Sequence, residues 1–352
     1  MKKTLLLYTV LLLALGVGAA YAATGGTSSD PLVSLSYLRG AYTDTVIKKA
    51  EKVVKATEGK AQTTASSGYE ERRFKRGDAL SVASGGSVVV LAGEVQADFT
   101  GAVIDATEGT PVTAGTTLMP DHRYLVGEDT TASFRTVGKT SCMEYAGTTT
   151  VRAATDTPDY NAMAEALKSL SLLRGSFTAY GSGFDLEVAP TRAATLIMFI
   201  RMLGEEAEAE AYTGECPFRD VKKSDVLYPY AAYAYQKGYT TGYTKDEFRP
   251  AQLSNVYQYT AFILRAMGYS STSDIAGILT EAVQAGVLTE REQAQLKDTL
   301  FLRADLVYLS YYALAAPMPD GSGTLADRLV AQGVFTADAY RTAKGTVTSA
   351  RL

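Results

Sequence analysis

The sequence has few of the residues that bind soft metals or act as general bases. Its 352 residues include one histidine, two cysteines and no tryptophan. A zinc site built from Cys and His needs about four nitrogen or sulfur ligands, and only His122, Cys142 and Cys216 are available. This scarcity argues against a multi-ligand metal site, and a serine triad would depend on His122 alone. We expect neither a metal nor a cofactor.

Positive charge is also not in excess. The formal net charge is −4, whereas nucleic-acid binding requires clustered Lys and Arg side chains that neutralise phosphates. We therefore expect no nucleic-acid partner. The length is enough for roughly two domains of about 100–200 residues each.

Residues 1–22 have the pattern of a secretory signal peptide. Met1-Lys2-Lys3 gives a positive start, residues 5–20 are mostly apolar, and Ala20-Tyr21-Ala22 provides the small residues of a cleavage site. An uncleaved membrane anchor is the alternative, because the apolar run is near the lower length limit for a spanning helix. We expect cleavage after Ala22, export, and no membrane span in the mature protein.

Export to an oxidising compartment would allow the two cysteines to form a disulfide. Outside the cytosol, Cys142 and Cys216 could form a disulfide that ties two domains together. Two unpaired, buried thiols are an equally good interpretation, and the sequence leaves both open.

Residues 23–68 are predicted to contain a polar start, a helix and a linker. Between residues 32 and 60 the apolar residues fall on one helical face, and the clearest of these are Val46, Ala50, Val53 and Val54. Residues 61–68 are rich in Ala, Thr, Ser and Gly, which is typical of a linker.

Residues 69–151 are predicted to form a small all-β domain, because short β-rich runs alternate with glycine turns. The basic cluster at its start is interpreted as a solvated edge that discourages sheet-to-sheet association; it consists of Arg72, Arg73, Lys75 and Arg76. His122 follows Asp121 directly, but neighbours on a strand point to opposite faces, so the two make a poor acid–base pair.

Helical units repeat in the C-terminal half. Glycines are expected to end successive helices, and an apolar residue follows most of them, which is a common helix cap; these glycines are Gly175, Gly238, Gly286 and Gly333. Two further helices end almost alike, at residues 200–204 and 264–268. Units of this kind cannot bury a core alone, so we expect them to pack together.

These units carry a resemblance to the S-layer homology (SLH) family. Its most specific part comprises Phe218-Arg219-Asp220-Val221, Gly238-Tyr239, Gly242, Phe248-Arg249-Pro250 and the helix closing on Leu264-Arg265-Ala266-Met267-Gly268. Thr191-Arg192-Ala193-Ala194 is similar to the family signature Thr-Arg-Ala-Glu, and Leu302-Arg303-Ala304-Asp305 is similar to a third copy. The resemblance covers residues 158–340, in repeats at about 158–206, 212–270 and 273–340, before a tail at 341–352.

The resemblance implies a fold class and a ligand. We expect a multidomain protein with an N-terminal helix and small all-β domain, followed by an all-α pseudo-threefold bundle of three SLH-like repeats. Grooves of such bundles hold an anionic, often pyruvylated, secondary cell-wall polysaccharide. The polysaccharide-binding residues implied here are Thr191, Arg192, Arg303, Asp305, Gly242 and Tyr228.

This use of Thr191 and Arg192 is physically reasonable. Thr191 can cap its helix and leave the helix N-terminus open, and Arg192 would lie in the first turn, so both favour an anion. A guanidinium fork suits a carboxylate.

The chain departs from the family pattern in several places. The second repeat opens Leu253-Ser254-Asn255, without the signature Arg, and the signature Glu is replaced by Ala194 or Asp305. Tyr228 stands where the family commonly has Trp. At most two of three grooves therefore keep the charged contact.

We expect a non-catalytic, secreted protein that is anchored to the cell wall at the cell surface. One alternative is an exported wall-associated glycan hydrolase in the β domain, which would need two carboxylates across a cleft. The other is an interaction module whose SLH repeats are degenerate.

Overall fold

The computed structural model describes residues 65–178, 181–269 and 275–352. Residues 64–352 form one compact unit. The expected signal peptide and N-terminal helix lie outside the described residues. Within the described ranges, no helix is long and apolar enough to cross a membrane.

The first part of the described chain is one antiparallel sheet of seven strands, in the order β1-β7-β3-β6-β4-β5, with β2 paired to β7. The strands are β1 Ala65–Lys75, β2 Ala79–Ala83, β3 Ser87–Phe99, β4 Val103–Asp105, β5 Thr110–Pro111, β6 Arg123–Val126 and β7 Thr131–Arg152. Alternate residues of the strands are buried, as expected for a sheet with one face on a core. That core includes Phe74, Leu80, Val88, Val90, Phe134 and Met143.

The two longest strands bend where they cross. Gly93 of β3 has φ 85°, and a Cβ at this position would lie 2.3 Å from the carbonyl oxygen of Thr140 in β7. The pairing of β3 with β7 shifts register on both sides of this point, which is typical of a β-bulge. The bend lets β7 pair with β2 at both of its ends, so that Leu80 faces Phe134 and also Val151.

Helices follow the sheet. They are α1 Tyr160–Ser169, α2 Arg192–Met202, α3 Glu206–Glu210, α4 Leu227–Gln236, α5 Val256–Met267, α6 Ile278–Gln284, α7 Glu290–Leu296, α8 Arg303–Ala313, α9 Leu325–Ala331 and α10 Ala337–Thr346. A two-stranded hairpin, β8 Ser176–Thr178 and β9 Gly181–Gly183, lies between α1 and α2.

The helices share a second apolar core that is separate from the core of the sheet. Its centre is aromatic: the ring of Phe199 in α2 meets the rings of Tyr259 and Phe262 in α5, at centroid distances of 6.2 and 5.3 Å. Tyr259 is fully buried, and its hydroxyl is hydrogen-bonded to Ser310 of α8 at 2.5 Å. Buried aromatic pairs of this kind stabilise a core beyond their area burial.

The predicted fold class is wrong. The sheet is large and belongs to the same compact unit as the helices, and those helices do not form an all-α pseudo-threefold bundle. The first predicted repeat contains the hairpin β8–β9, and the short helices α3 and α7 break the expected helix pairs. Glycine spacing and helical periodicity report where helices end, whereas the arrangement of helices depends on connecting segments that differ among the three units.

Candidate functional site

Thr191 and Arg192 lie at the start of α2. Thr191 is the N-cap, and its side-chain oxygen accepts the N–H of Ala194 at 3.2 Å, as predicted. Arg192 is only 3% exposed. Its Nε donates to the carbonyl oxygen of Phe248 at 2.7 Å, and its guanidinium lies 4.7 Å from the centre of the Phe248 ring. Burial lowers the pKa of Arg192 to about 10, so the group remains a cation at neutral pH.

The expectation of an open helix N-terminus at α2 is wrong. The backbone N–H of Arg192 donates to the carbonyl of Gln252 at 2.8 Å, and that of Ala193 donates to Pro250 at 3.1 Å. The N–H of Ser254 in turn donates to Pro190 at 2.9 Å. The loop before α5 therefore occupies the amides that an anion would use, which leaves the guanidinium as the positive group at this place.

Tyr243 lies beside two guanidinium groups. The ring centre is 3.9 Å from the guanidinium carbon of Arg249 and 5.6 Å from that of Arg192. Tyr243 is 43% exposed, and the Arg249 side chain is 42% exposed. Arginine over an aromatic face is an attractive cation–π arrangement. We call Arg192, Tyr243, Phe248 and Arg249 the Arg–Tyr stack.

Asp220 fixes the loop that carries this stack. Its two carboxylate oxygens accept the backbone N–H groups of Phe248 and Arg249, at 2.8 and 2.7 Å. Arg249 has φ 58°, which is the left-handed region that a non-glycine residue enters at a cost. The two charge-assisted bonds hold the loop in this conformation.

Gly242 shapes the turn next to Tyr243. Its φ is 89°, and a Cβ there would lie 2.3 Å from the carbonyl oxygen of Thr244 and 2.6 Å from Cε1 of Phe218. Only glycine fits such a position. The hydroxyl of Tyr228 accepts the backbone N–H of Cys216 at 3.2 Å, so this residue holds the segment that leads into Phe218.

Acidic side chains balance the charge around the stack. Glu247 lies 3.2 Å from Nε of Arg249 and 2.5 Å from Nη2 of Arg219. Arg219 also pairs with Asp246 at 3.2 Å, and its side chain is 68% exposed. The Arg249 guanidinium therefore pairs along one edge with the Glu247 carboxylate and stacks with one face on the Tyr243 ring.

Arg303 and Asp305 lie at a different helix start, that of α8. Nη1 of Arg303 is 3.0 Å from Oδ2 of Asp185. Asp305 is 1% exposed, and its oxygens accept Nζ of Lys139 at 2.6 and 2.5 Å. Both predicted site residues thus form ion pairs within the chain. The six predicted residues do not form one continuous site.

Sequence reasoning missed Tyr243 and the role of Arg249. Phe248-Arg249-Pro250 was part of the SLH resemblance, and Gly242 was a predicted site residue directly before Tyr243. The neighbourhood could therefore be found from the sequence. The stacking itself depends on the left-handed backbone at Arg249, for which a non-glycine sequence gives no signal.

The structure also shows the partner of His122 and the state of the two cysteines. Nδ1 of His122 lies 2.6 Å from Oδ2 of Asp105, so the histidine pairs with a distant carboxylate and not with its neighbour Asp121. Burial would raise the pKa of Asp105, but hydrogen bonds from His122 and two backbone N–H groups hold that pKa below its ordinary value. Cys142 and Cys216 are free thiols.

The S-layer homology domain family matches residues 217–253. This range contains Asp220, Gly242, Tyr243, Phe248 and Arg249, which are the residues that build and brace the stack. In this segment the chain therefore resembles an S-layer homology domain. Arg192 lies outside the matched residues and contacts them through the hydrogen bond from its Nε to the carbonyl oxygen of Phe248.

One curated protein and one solved structure are similar to parts of this chain. A cell surface protein of Thermoanaerobacter kivui is 26% identical over 205 residues, which are 57% of this chain and 26% of that protein. The chain thus spans about a quarter of the length of the curated relative that it matches. The crystal structure of procruciferin, an 11S globulin from Brassica napus, is 9% identical with a TM-score of 0.17, over 25% of this chain and 23% of that one. A likeness at this level carries no argument.

Proposed function

We propose that this chain is a non-catalytic cell-surface protein whose SLH region holds it to the bacterial cell wall. Its ligand in this proposal is an anionic secondary cell-wall polysaccharide. The SLH match at residues 217–253 and the similarity to a cell surface protein of Thermoanaerobacter kivui support attachment at the cell surface. The observation that carries the choice of ligand is the exposure of Tyr243 and Arg249, the two members of the Arg–Tyr stack that face solvent and lie within the matched residues.

The stack offers the chemistry that an acidic sugar needs. Arg249 presents donors in a planar fork that matches a carboxylate, such as the one a pyruvylated sugar carries. Arg249 stacks on one face of the Tyr243 ring, and a sugar ring packs in this proposal against the part of the ring that remains exposed. Arg192 adds a second cation from a buried position, where an electrostatic attraction is screened less than in water.

The remaining predicted residues have supporting roles in this proposal. Thr191 caps α2 and fixes Arg192 at its first turn. Gly242 permits the turn that places Tyr243. Tyr228 braces the backbone at Cys216, upstream of the SLH match. None of the three needs to touch the polysaccharide.

The test is sedimentation with purified cell walls. Arg249→Gln removes the exposed cation and keeps the side chain polar, and we expect the wall concentration for half-maximal binding to rise about tenfold, which equals about 1.4 kcal/mol. Arg341→Gln is the matched control, because that arginine is 77% exposed on α10 and should leave binding unchanged. Walls stripped of their secondary polymer should retain no protein.

Two results would contradict the proposal. One is binding to stripped walls that equals binding to intact walls. The other is an Arg249→Gln variant that binds like Arg341→Gln. Release of reducing ends from walls by the wild-type chain would instead favour a glycan hydrolase.

A further inference from the structure

One carboxylate bridges the two arginines of the SLH match. Oε2 of Glu247 lies 3.2 Å from Nε of Arg249, and Oε1 of the same side chain lies 2.5 Å from Nη2 of Arg219. Each oxygen therefore serves a different guanidinium. If one of these contacts breaks, the carboxylate keeps the other arginine as its partner.

Glu247 occupies a position that an incoming carboxylate needs. A guanidinium binds a carboxylate best when N–H donors along one edge meet its oxygens. The edge of Arg249 that includes Nε donates to Glu247, and the Tyr243 ring lies against one face. The negative charge of Glu247 also repels a second anion at this distance. Glu247 therefore competes with an acidic ligand for the same cation.

Only the side chain of Glu247 has to move in such an exchange. Its backbone carbonyl accepts the N–H groups of Tyr243 and Thr244, at 2.7 and 3.1 Å, and its own N–H donates to Oγ1 of Thr244 at 3.1 Å. These bonds fix the backbone of the turn. The Glu247 side chain is 24% exposed, and a side chain at the surface changes rotamer without moving the backbone.

The contact between Glu247 and Arg249 is weak enough to be replaced. The Arg249 and Arg219 side chains are 42% and 68% exposed, and ion pairs between exposed side chains contribute little in water. Asp220 holds the backbone of Arg249 through a separate hydrogen bond. Loss of the Glu247 contact therefore leaves the Arg–Tyr stack in place.

Arg219 is placed to retain the Glu247 carboxylate. Its guanidinium contacts Glu247 through Nη2 and Asp246 through Nε, at 2.5 and 3.2 Å. Its backbone N–H donates to the carbonyl of Asp246 at 2.9 Å, so Arg219 is fixed to the same turn as Glu247. A carboxylate that leaves Arg249 thus stays on Arg219.

We propose that Glu247 is an internal competitor for the polymer carboxylate at Arg249, and that Arg219 is a positioning residue that retains Glu247 after the exchange. This inference rests on the proposed function. Glu247 then limits the affinity of the site for the polymer. Arg219 influences binding without contact with the polymer.

The experiment compares variants of the full chain by titration calorimetry with purified, size-fractionated wall polymer at physiological ionic strength. Glu247→Gln keeps the size of the side chain and removes its charge, and we expect the dissociation constant to fall about threefold. Asp246→Asn is the matched control, because it makes the same change in net charge one position away, at a carboxylate that pairs with Arg219. It should leave the dissociation constant nearly unchanged, since salt screens exposed charges that the ligand does not contact. Circular dichroism confirms that each variant is folded.

A double-mutant comparison isolates the role of Arg219. Arg219→Gln should raise the dissociation constant about threefold in the wild-type background, because Glu247 loses the cation that draws it away from Arg249. In the Glu247→Gln background the same change should have no effect, because there is no carboxylate to retain. Equal weakening in both backgrounds would show that Arg219 binds the polymer itself, and it would overturn the positioning role.

Polymer whose carboxyl groups have been converted to neutral amides tests the competition directly. Glu247→Gln should gain little affinity for this polymer, because it carries no carboxylate that competes with Glu247 for the guanidinium. A gain as large as for the native polymer would overturn the inference. An equal gain for Asp246→Asn and Glu247→Gln on the native polymer would also overturn it, because net charge alone would then explain the result.

The two proposals fail in different ways. If the wild type does not bind the native polymer, or binds it equally well without Arg249, the proposed function fails and the competition fails with it. If the wild type binds in an Arg249-dependent manner and Glu247→Gln gains nothing, only the competition fails.

Discussion

The carboxylate of Asp220 accepts the backbone N–H of Arg249 at 2.7 Å, across 29 positions of sequence. The second oxygen of the same carboxylate accepts the N–H of Phe248. The Asp220 side chain thus fixes the backbone of two residues of the stack. These are Phe248, whose ring contacts Arg192, and Arg249, whose guanidinium contacts Tyr243. The geometry of the candidate site depends on this single brace.

Asp220→Ala should therefore destabilise the fold and weaken wall binding. The variant loses two charge-assisted hydrogen bonds to the backbone, and we expect the free energy of unfolding to fall by about 2–4 kcal/mol. Urea unfolding followed by circular dichroism measures this change. Asp246→Asn is the control, because its carboxylate is 60% exposed and pairs with the exposed Arg219; equal losses in both variants would contradict the role of the brace.

Gly242→Ala should be more harmful than Gly238→Ala, although both glycines have positive φ. A Cβ at Gly242 would lie 2.3 Å from a backbone oxygen, whereas nothing lies within 4 Å of a Cβ at Gly238. We expect a loss of about 1–2 kcal/mol for Gly238→Ala from backbone conformation alone, and a clearly larger loss for Gly242→Ala. Thermal unfolding of the two variants side by side checks the order, and similar melting temperatures would speak against it.

Tyr243→Ala should weaken wall binding without a large loss of stability. The ring is 43% exposed and makes cation–π contacts with Arg249 and Arg192. Since the proposed function also places the sugar against this ring, we expect binding to weaken about fivefold to tenfold. Tyr235→Ala is a matched control, since that ring is 47% exposed and packs edge-on against Phe218 at 5.7 Å. Wall sedimentation compares them, and equal binding by the two variants would refute the assignment of Tyr243.

Glu292 should make the fold sensitive to acid. It is fully buried, and its carboxylate accepts Nε and Nη2 of Arg351 at 2.6 and 2.8 Å and the hydroxyl of Tyr308. Burial would raise the pKa of Glu292, but these hydrogen bonds outweigh burial and hold it below the ordinary value of 4.5. A carboxylate with a lowered pKa in the folded state stabilises the fold above its unfolded pKa, and this contribution is lost as the pH falls through the folded pKa.

Glu292→Gln leaves Arg351 without its anion, and we expect a loss of about 3–5 kcal/mol at pH 7. The difference in the free energy of unfolding between the variant and the wild type should decrease below pH 4.5, where the wild-type carboxylate begins to take up protons. Urea unfolding at a series of pH values measures it. Asp338→Asn, which breaks an exposed ion pair with Arg341, should change stability by less than about 1 kcal/mol at any pH. If the difference in the free energy of unfolding between Glu292→Gln and the wild type did not change with pH, the role of the ionised Glu292 carboxylate would be contradicted.

Local features of the fold were predictable where neighbours in sequence determine them. Thr191 caps α2 because a hydroxyl at the N-cap reaches an N–H three residues later. Glycines at positions 238, 286 and 333 take positive φ just past α4, α6 and α9, which follows from the conformational freedom of glycine. A sheet region before a helical region also followed from the change in residue pattern near position 152.

The contacts that define the site were not predictable in this way. Arg192 meets Phe248 across 56 positions, and Lys139 meets Asp305 across 166 positions. The signature makes Arg192 and Arg303 equivalent, and nothing in it marks one as stacked beside an exposed tyrosine and the other as paired with Asp185.

The sequence by itself determined the residue types, the helix caps and the SLH motif, because propensities and short-range hydrogen bonds act over a few positions. The tertiary structure decided which charges are paired and which remain available, because that depends on long-range packing in which buried charges must find partners. The helix start at α2, which was expected to be open, is occupied by loop carbonyls because buried backbone N–H groups also need partners. The predicted site residue Asp305 is paired with Lys139 of β7.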